Sequence, residues 1–204
     1  MKKLFLASSF STVAQLFSAF EKDLAGKTVT FIPTASLVEK VVFYVKAGKK
    51  ALSALGLTVD ELEISTASPD EIKTKLAAND FIYLSGGNTF FLLQELKRTG
   101  ADKLLAQHVQ AGKLYIGESA GAMVASPNAE YAAAMDSMKK APGLTDYASM
   151  GLVDFYTVPH CANAPFRKAA QKMIDTYSAT LPLTPISNNE AITVLGGQVE
   201  IRRG

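Results

Sequence analysis

Gly117-Glu118-Ser119-Ala120-Gly121 places a serine between two glycines, after the apolar run Leu114-Tyr115-Ile116 and before the helix-compatible run Ala122–Ala125. That is the sequence form of a nucleophile elbow, a sharp strand-to-helix turn that exposes a serine hydroxyl at a sheet edge. Small residues two before and two after the serine let strand and helix approach. A serine nucleophile needs a general base, usually histidine. The chain has two histidines. His108 falls inside an amphipathic helical segment beside Gln107 and Gln110, the setting of a partly exposed helix residue. His160 follows Pro159 at the end of an apolar strand, an edge position suited to the base.

A carboxylate that orients the imidazole should complete the set. Glu190, in Ser187-Asn188-Asn189-Glu190, is the first choice, with Asp154, Asp136 and Asp146 as rivals. The oxyanion of acyl transfer needs preorganised donors. The N–H of Ala120 and the Gly86-Gly87 turn, within Ser85-Gly86-Gly87-Asn88-Thr89, are the candidates. That turn has no Gly-Lys-Ser/Thr ending and no G-x-G-x-x-G pattern, so it is not a phosphate loop. Glu118 is expected either at solvent or a subunit rim, or lining the pocket. Cys161 is expected as a buried filler on the opposite strand face from His160. No His, Cys or acidic spacing marks a metal site, and no cofactor is expected.

The elements that must position these residues alternate strand with helix. Strands are expected at Leu4–Ala7, Thr28–Ile32, Val59–Ile64, Phe81–Leu84, Lys113–Ile116 and Phe155–Val158. Helices are expected at Thr12–Leu24 after a Ser11 cap, at Leu37–Leu55 ending at Gly56, and from the Ser68-Pro69-Asp70-Glu71 start signal. Further helices are expected at Phe90–Arg98, Ala101–Ala111 and Ala164–Ala179. Pro127–Gly151 reads as an irregular excursion near the site. Pro185–Arg203 reads as an antiparallel hairpin turning at Leu195-Gly196-Gly197-Gln198. This order implies an α/β fold, a three-layer sandwich with a mostly parallel sheet and a C-terminal β-hairpin, in one domain spanning 1–204. Ligands bind such sheets at the C-terminal strand ends, where both glycine-bearing segments fall.

Composition narrows the class of function. The 204 residues carry 21 basic and 19 acidic side chains, for a formal charge of +2, with no basic run that would bind nucleic acid. No apolar stretch reaches the roughly 20 residues of a membrane helix. One cysteine excludes an intrachain disulfide and fits a reducing compartment, so a cytoplasmic location is expected.

Leu84-Ser85-Gly86-Gly87-Asn88-Thr89-Phe90, Ile116-Gly117-Glu118-Ser119-Ala120-Gly121-Ala122 and Pro159-His160 together resemble the peptidase E family, the aspartyl dipeptidases or S51 serine peptidases. The resemblance covers nearly the whole chain. It implies a fold like that of class I glutamine amidotransferases (flavodoxin-like), and a Ser-His-Glu triad falling on Ser119, His160 and Glu190. It also implies oxyanion donors at Gly86, Gly87 and Ala120. Substrate contacts are then expected from Asn88, Asn163 and Arg167, with Arg167 as a bidentate carboxylate clamp. The expected activity is hydrolysis of short peptides, with N-terminal aspartate as a candidate preference, by a monomer or homodimer. The alternatives are an esterase or amidase without aspartyl specificity, and a binding protein that keeps the scaffold.

Overall fold

A computed structural model describes all residues, 1–204. Nine strands and seven α-helices follow one another in the order β1 (Lys3–Ala7), α1 (Phe10–Phe20), β2 (Thr28–Ile32), α2 (Phe43–Ala54), β3 (Thr58–Glu61), α3 (Pro69–Ala78), β4 (Phe81–Leu84), α4 (Thr89–Thr99), α5 (Ala101–Gln110), β5 (Leu114–Glu118), α6 (Ala120–Met123), β6 (Tyr156–Val158), α7 (Arg167–Tyr177), β7 (Leu183–Pro185), β8 (Glu190–Leu195) and β9 (Gln198–Arg203). Seven strands form one sheet in the order β3-β2-β4-β5-β1-β8-β9. The first five run parallel. The β8–β9 hairpin joins antiparallel on the far side of β1. The α/β sandwich and its C-terminal hairpin are as the alternation implied.

Period-two alternation explains the layers. Leu4 and Leu6 of β1, Ile82 and Leu84 of β4 and Tyr115 of β5 face one side, against Ile72 and Leu76 of α3, Leu92 and Leu96 of α4 and Leu105 and Val109 of α5. Phe5, Tyr83 and Ile116 face the other, against Phe10, Val13 and Phe17 of α1 and Leu52 of α2. Because both faces are covered, the central strands read as continuous apolar runs. On the α1–α2 side the rings interlock. Phe5 meets Phe17 edge-on at 5.2 Å, and Phe31 stacks on Tyr83 at 4.7 Å. Truncating a buried ring here, such as Phe17→Ala, is expected to cost about 3–5 kcal/mol.

Several elements differ from the sequence expectation: β3 stops at Glu61 and not Ile64, and α7 starts at Arg167 and not Ala164. Helix α1 begins at Phe10, not Thr12, with Ser9 at its cap. The carboxylate of Glu118 accepts the Phe10 N–H at 2.9 Å, and a kink at Val13 (φ −111°, ψ 17°) sets this first turn off from the rest of the helix. Helix α2 begins only at Phe43. Residues 34–36 form a 3-10 turn, and Leu37, Val41, Val42 and Phe43 are exposed. The strand before His160 lies outside the main sheet. It is β6, paired in parallel with β7, a strand the sequence did not announce. Cys161 stands in a turn after β6, half-buried, so strand alternation does not apply to it. The Ser68 cap forms as expected, its hydroxyl accepting the Glu71 N–H.

Candidate active site

Strand β5 ends at Glu118, and Ser119 takes φ 49° and ψ −104°, a backbone conformation that L-residues rarely adopt. Ser119 N–H donates to the Ala7 carbonyl at the end of β1, while its own carbonyl accepts from Ala122 and Met123 at the start of α6. The chain therefore turns from strand to helix within one residue. The flanking glycines are required by space. A Cβ on Gly117 would lie 2.7 Å from the Gly121 carbonyl oxygen, and one on Gly121 would lie 2.3 Å from that of Leu84. Tyr115 fastens the far side of the turn, its hydroxyl donating to the Gly121 carbonyl at 2.6 Å.

Glu118, directly before the serine, is 3% exposed. It neither faces solvent nor lines a pocket. It lies beneath the elbow, accepting the Phe10 N–H and the Tyr83 hydroxyl, the latter at 2.8 Å. Burial raises its carboxyl pKa, while Phe10, Tyr83 and the Gly86 N–H pull the other way. One carboxylate thus ties together α1, β4, β5 and the glycine turn. Glu118→Ala leaves the buried Phe10 N–H and Tyr83 hydroxyl without their acceptor, at about 1–3 kcal/mol for each group left unsatisfied. Thermal denaturation should show this as a clear drop in Tm, with Glu118→Gln closer to wild type.

Ser119 Oγ lies 3.0 Å from Nε2 of His160. His160 is delivered from the β6–β7 side, with φ 59°. Its N–H donates to Ser8 Oγ at 2.9 Å, and Ser8 immediately follows β1. The Cys161 N–H donates to the Ile186 carbonyl, and Ser8 Oγ donates to that same carbonyl. Phe166 stacks on the imidazole at 4.8 Å. Burial lowers the pKa of His160 below its ordinary 6.5, opposed by the hydrogen bond that the ring makes to Asn188 Oδ1. Burial therefore favours the neutral ring, the form able to accept the serine proton. Activity that depends on it should fall as pH drops, with a midpoint below 6.5, and a pH–kcat/KM profile reads this directly.

The group on the other ring nitrogen is Asn188, whose Oδ1 lies 2.7 Å from Nδ1. This corrects the expectation for Glu190. The Glu190 carboxylate accepts the Ser187 N–H at 2.8 Å and pairs with Arg203 at 2.8 Å. Glu190 opens β8, and its short side chain folds back over its own turn instead of reaching the imidazole. None of the rival aspartates reaches it either. Asp136 accepts the N–H and hydroxyl of Thr89. Asp146 pairs with Lys97, and Asp154 is exposed. His108 lies on α5 by the concavity of Asn79, Asp80 and Lys113, before the starts of β4 and β5 and so at the opposite sheet edge from Ser119.

The remaining expected residues divide. Gly86 stands against the nucleophile: a Cβ there would meet Ser119 Cβ at 3.4 Å and the Tyr44 ring at 3.6 Å. Its N–H is turned to Glu118. Gly87 has φ +135°, and a Cβ there would lie 2.2 Å from the Ala35 backbone. No carbonyl accepts the Gly87 N–H. Ala120 is the first residue of α6, so its N–H has no partner within that helix. Asn88 is 1% exposed and structural. It caps α4 by accepting the Phe91 N–H, and its amide donates to the Ser137 carbonyl. Asn163 faces inward too, its Oδ1 accepting the Asn188 N–H at 2.8 Å. Arg167 begins α7, exposed.

Asp136 is the other titrating group near the turn. Burial pushes its pKa up to about 6, against the pull of Thr89. A raised carboxyl pKa means the fold holds the proton more tightly than the unfolded chain does. The associated stability is full at low pH and is lost as pH climbs through about 6. Asp136→Asn should therefore gain Tm relative to wild type between pH 4.5 and 7.5, and a Tm series over that range checks it.

A strained serine hydrogen-bonded to a part-buried histidine, at the C-terminal edge of a flavodoxin-like sheet, defines the serine-hydrolase class of site. The chain belongs to peptidase family S51, whose profile matches residues 4–202. It is 61% identical over 203 residues to an uncharacterized peptidase of Listeria monocytogenes, covering 100% of this chain and 99% of the relative. An uncharacterized peptidase of Pasteurella multocida is 58% identical over 204 residues, covering 100% and 98%. The peptidase E of Haemophilus influenzae is 35% identical over 106 residues, covering 52% of this chain and 47% of the relative. Among solved structures, a provisionally named peptidase E protein from Listeria monocytogenes EGD-e superposes with a TM-score of 0.96 at 60% identity, covering 100% and 98% of the two chains. No helix is long and apolar enough to cross a membrane.

Proposed function

We propose that this chain is a serine peptidase of the dipeptidase E type, hydrolysing short peptides through an acyl-enzyme on Ser119. The observation that carries the reading is the 3.0 Å contact between Ser119 Oγ and His160 Nε2 within a strained elbow. His160 takes the hydroxyl proton as Ser119 attacks the peptide carbonyl. The N–H groups of Gly87 and Ala120, free of protein acceptors, receive the oxyanion. His160 passes its proton to the leaving amine. Water then attacks the ester, again giving a proton to His160, and Ser119 is regenerated with release of the acid. The whole chain, 1–204, acts as one catalytic domain, in the cytoplasm, as a monomer or homodimer, and uses no metal or cofactor.

Arg167 supports an acidic substrate side chain. It follows Phe166, whose ring stacks on the catalytic imidazole, so a guanidinium without an ion-pair partner stands next to the site. A panel of dipeptides tests both levels. Cleavage of Asp-X well above neutral X-X, lost in Arg167→Met, supports the clamp. Equal cleavage of neutral dipeptides removes it and favours an amidase or peptidase of broader specificity. Absence of turnover on peptides, amides and esters alike removes the enzyme reading and leaves a binding protein.

A further inference from the structure

An imidazole that accepts a proton from serine through Nε2 must carry its own proton on Nδ1, and whatever sits at Nδ1 decides whether it does. Here that group is a carboxamide oxygen, which can only accept. We propose that Asn188 is the positioning residue of this site, anchored by Asn163, so that a Ser-His-Asn arrangement operates where the chain was expected to use a carboxylate. The proposal rests on the serine-hydrolase reading of Ser119 and His160.

The hydrogen bonds form a closed circuit. His160 Nδ1 donates to Asn188 Oδ1 at 2.7 Å, the Asn188 N–H donates to Asn163 Oδ1 at 2.8 Å, and the Asn163 N–H donates to the His160 carbonyl at 3.0 Å. The turn at 160–163 and the segment before β8 therefore hold each other in register. Glu190 acts one step away. By accepting the Ser187 N–H it shapes the turn that presents Asn188, and Arg203 neutralises it there.

No carboxylate pairs with the ring. Glu190 is committed to Ser187 and Arg203. Glu118, under the elbow, is committed to Phe10 and Tyr83. Arg167 on α7 is exposed. Ser8, Ser119, Asn188 and Phe166, the groups in contact with His160, are all uncharged. A carboxamide fixes the tautomer as a carboxylate would, but it adds no charge to stabilise the imidazolium. The base therefore stays neutral further into acid.

Nitrogen-15 NMR of the imidazoles tests this on the folded protein without any turnover, and His108 is the only other signal. The expected wild-type result is a neutral His160 protonated on Nδ1. Asn188→Asp puts a carboxylate at the same place and should raise the His160 titration midpoint by about 1 unit or more, moving the acid limb of the kcat/KM profile with it. Asn188→Ala frees the ring and should lower kcat roughly 10²-fold with KM little changed. Asn163→Ala should lower kcat in the same sense by less. A wild-type ring protonated on Nε2, or a midpoint that does not move in Asn188→Asp, overturns the proposal. If Asn188→Ala does not fold, the Asp variant, of nearly the same shape, still decides. Loss of the enzyme reading would show separately, as an Nδ1-protonated His160 in a protein that cleaves nothing.

Discussion

Replacing Ser119 with alanine should lower turnover of a susceptible peptide by about 10⁴-fold or more while leaving the fold intact. Ser8, the other hydroxyl beside His160, is committed to the Ile186 carbonyl and the His160 N–H. Cys161 is half-buried in the turn after His160, and its N–H is tied to Ile186. His160→Ala should cost a similar factor, and the double variant little more, because the two act as one unit. The serine also sits at φ 49°, where strain costs of order 1–3 kcal/mol. Ser119→Gly should relieve that strain. The glycine variant should then melt higher than wild type while being inactive, a combination that distinguishes a strained functional position from an ordinary surface serine. An active Ser119→Ala enzyme would remove the acyl-enzyme mechanism, and a glycine variant that melts lower would remove the strain argument.

Gly121→Ala should be among the most damaging one-carbon changes in the chain, beside Gly87→Ala. Its Cβ would lie 2.3 Å from the Leu84 carbonyl oxygen and 2.9 Å from the carbonyl carbon, both backbone atoms of a central strand. Neither can swing aside as a side-chain tip would. Strand β4 and helix α6 must separate, which also disturbs the 2.6 Å hydrogen bond from Tyr115. The expected loss is about 4 kcal/mol or more, the range reached only when a packed region is forced apart. Gly197→Ala provides the control, since nothing lies within 4 Å of a Cβ there. It should change stability by less than about 0.5 kcal/mol. Urea denaturation of the two variants side by side measures both, and equal stabilities would contradict the close-approach account of the elbow.

The elbow was legible because its demands are local. A strand, a turn with no room for Cβ and a short helix leave a glycine-serine-glycine signature in five residues. The alternation of apolar strands and amphipathic helices was legible for the same reason. What sequence did not reveal depends on contacts between distant segments. Helix α1 starts at Phe10, whose N–H is taken by Glu118, far along the chain. The role of Glu118 itself was hidden, since only the fold surrounds it with Phe10 and Tyr83. Elimination between two histidines picks out His160, but its strand pairs with β7 outside the main sheet. A three-residue strand such as β6 carries too little pattern to show its partner, and β7 even less.

Charge alone points to Glu190 as the partner of His160, whereas the contact is made by Asn188. Asn188 was in plain sight, two residues before Glu190, and an asparagine satisfies the same geometric need. The signal that could have found it is the doublet Asn188-Asn189 in a turn after β7, facing a second asparagine, Asn163, just past the histidine. Asn88 shows the opposite error. It belongs to a motif beside the nucleophile, yet it is buried as the cap of α4. Proximity in sequence to a site residue does not distinguish a ligand contact from a helix cap.

The central claim is that Ser119 is a nucleophile activated by His160. Incubating the native protein with a fluorophosphonate and measuring its intact mass tests it most directly. The account predicts one adduct per chain, located on Ser119 by peptide mapping. It also predicts labelling that slows as pH falls below 6.5 and is absent in Ser119→Ala. A native, folded protein that remains unlabelled, or that carries the adduct on another residue, would contradict it.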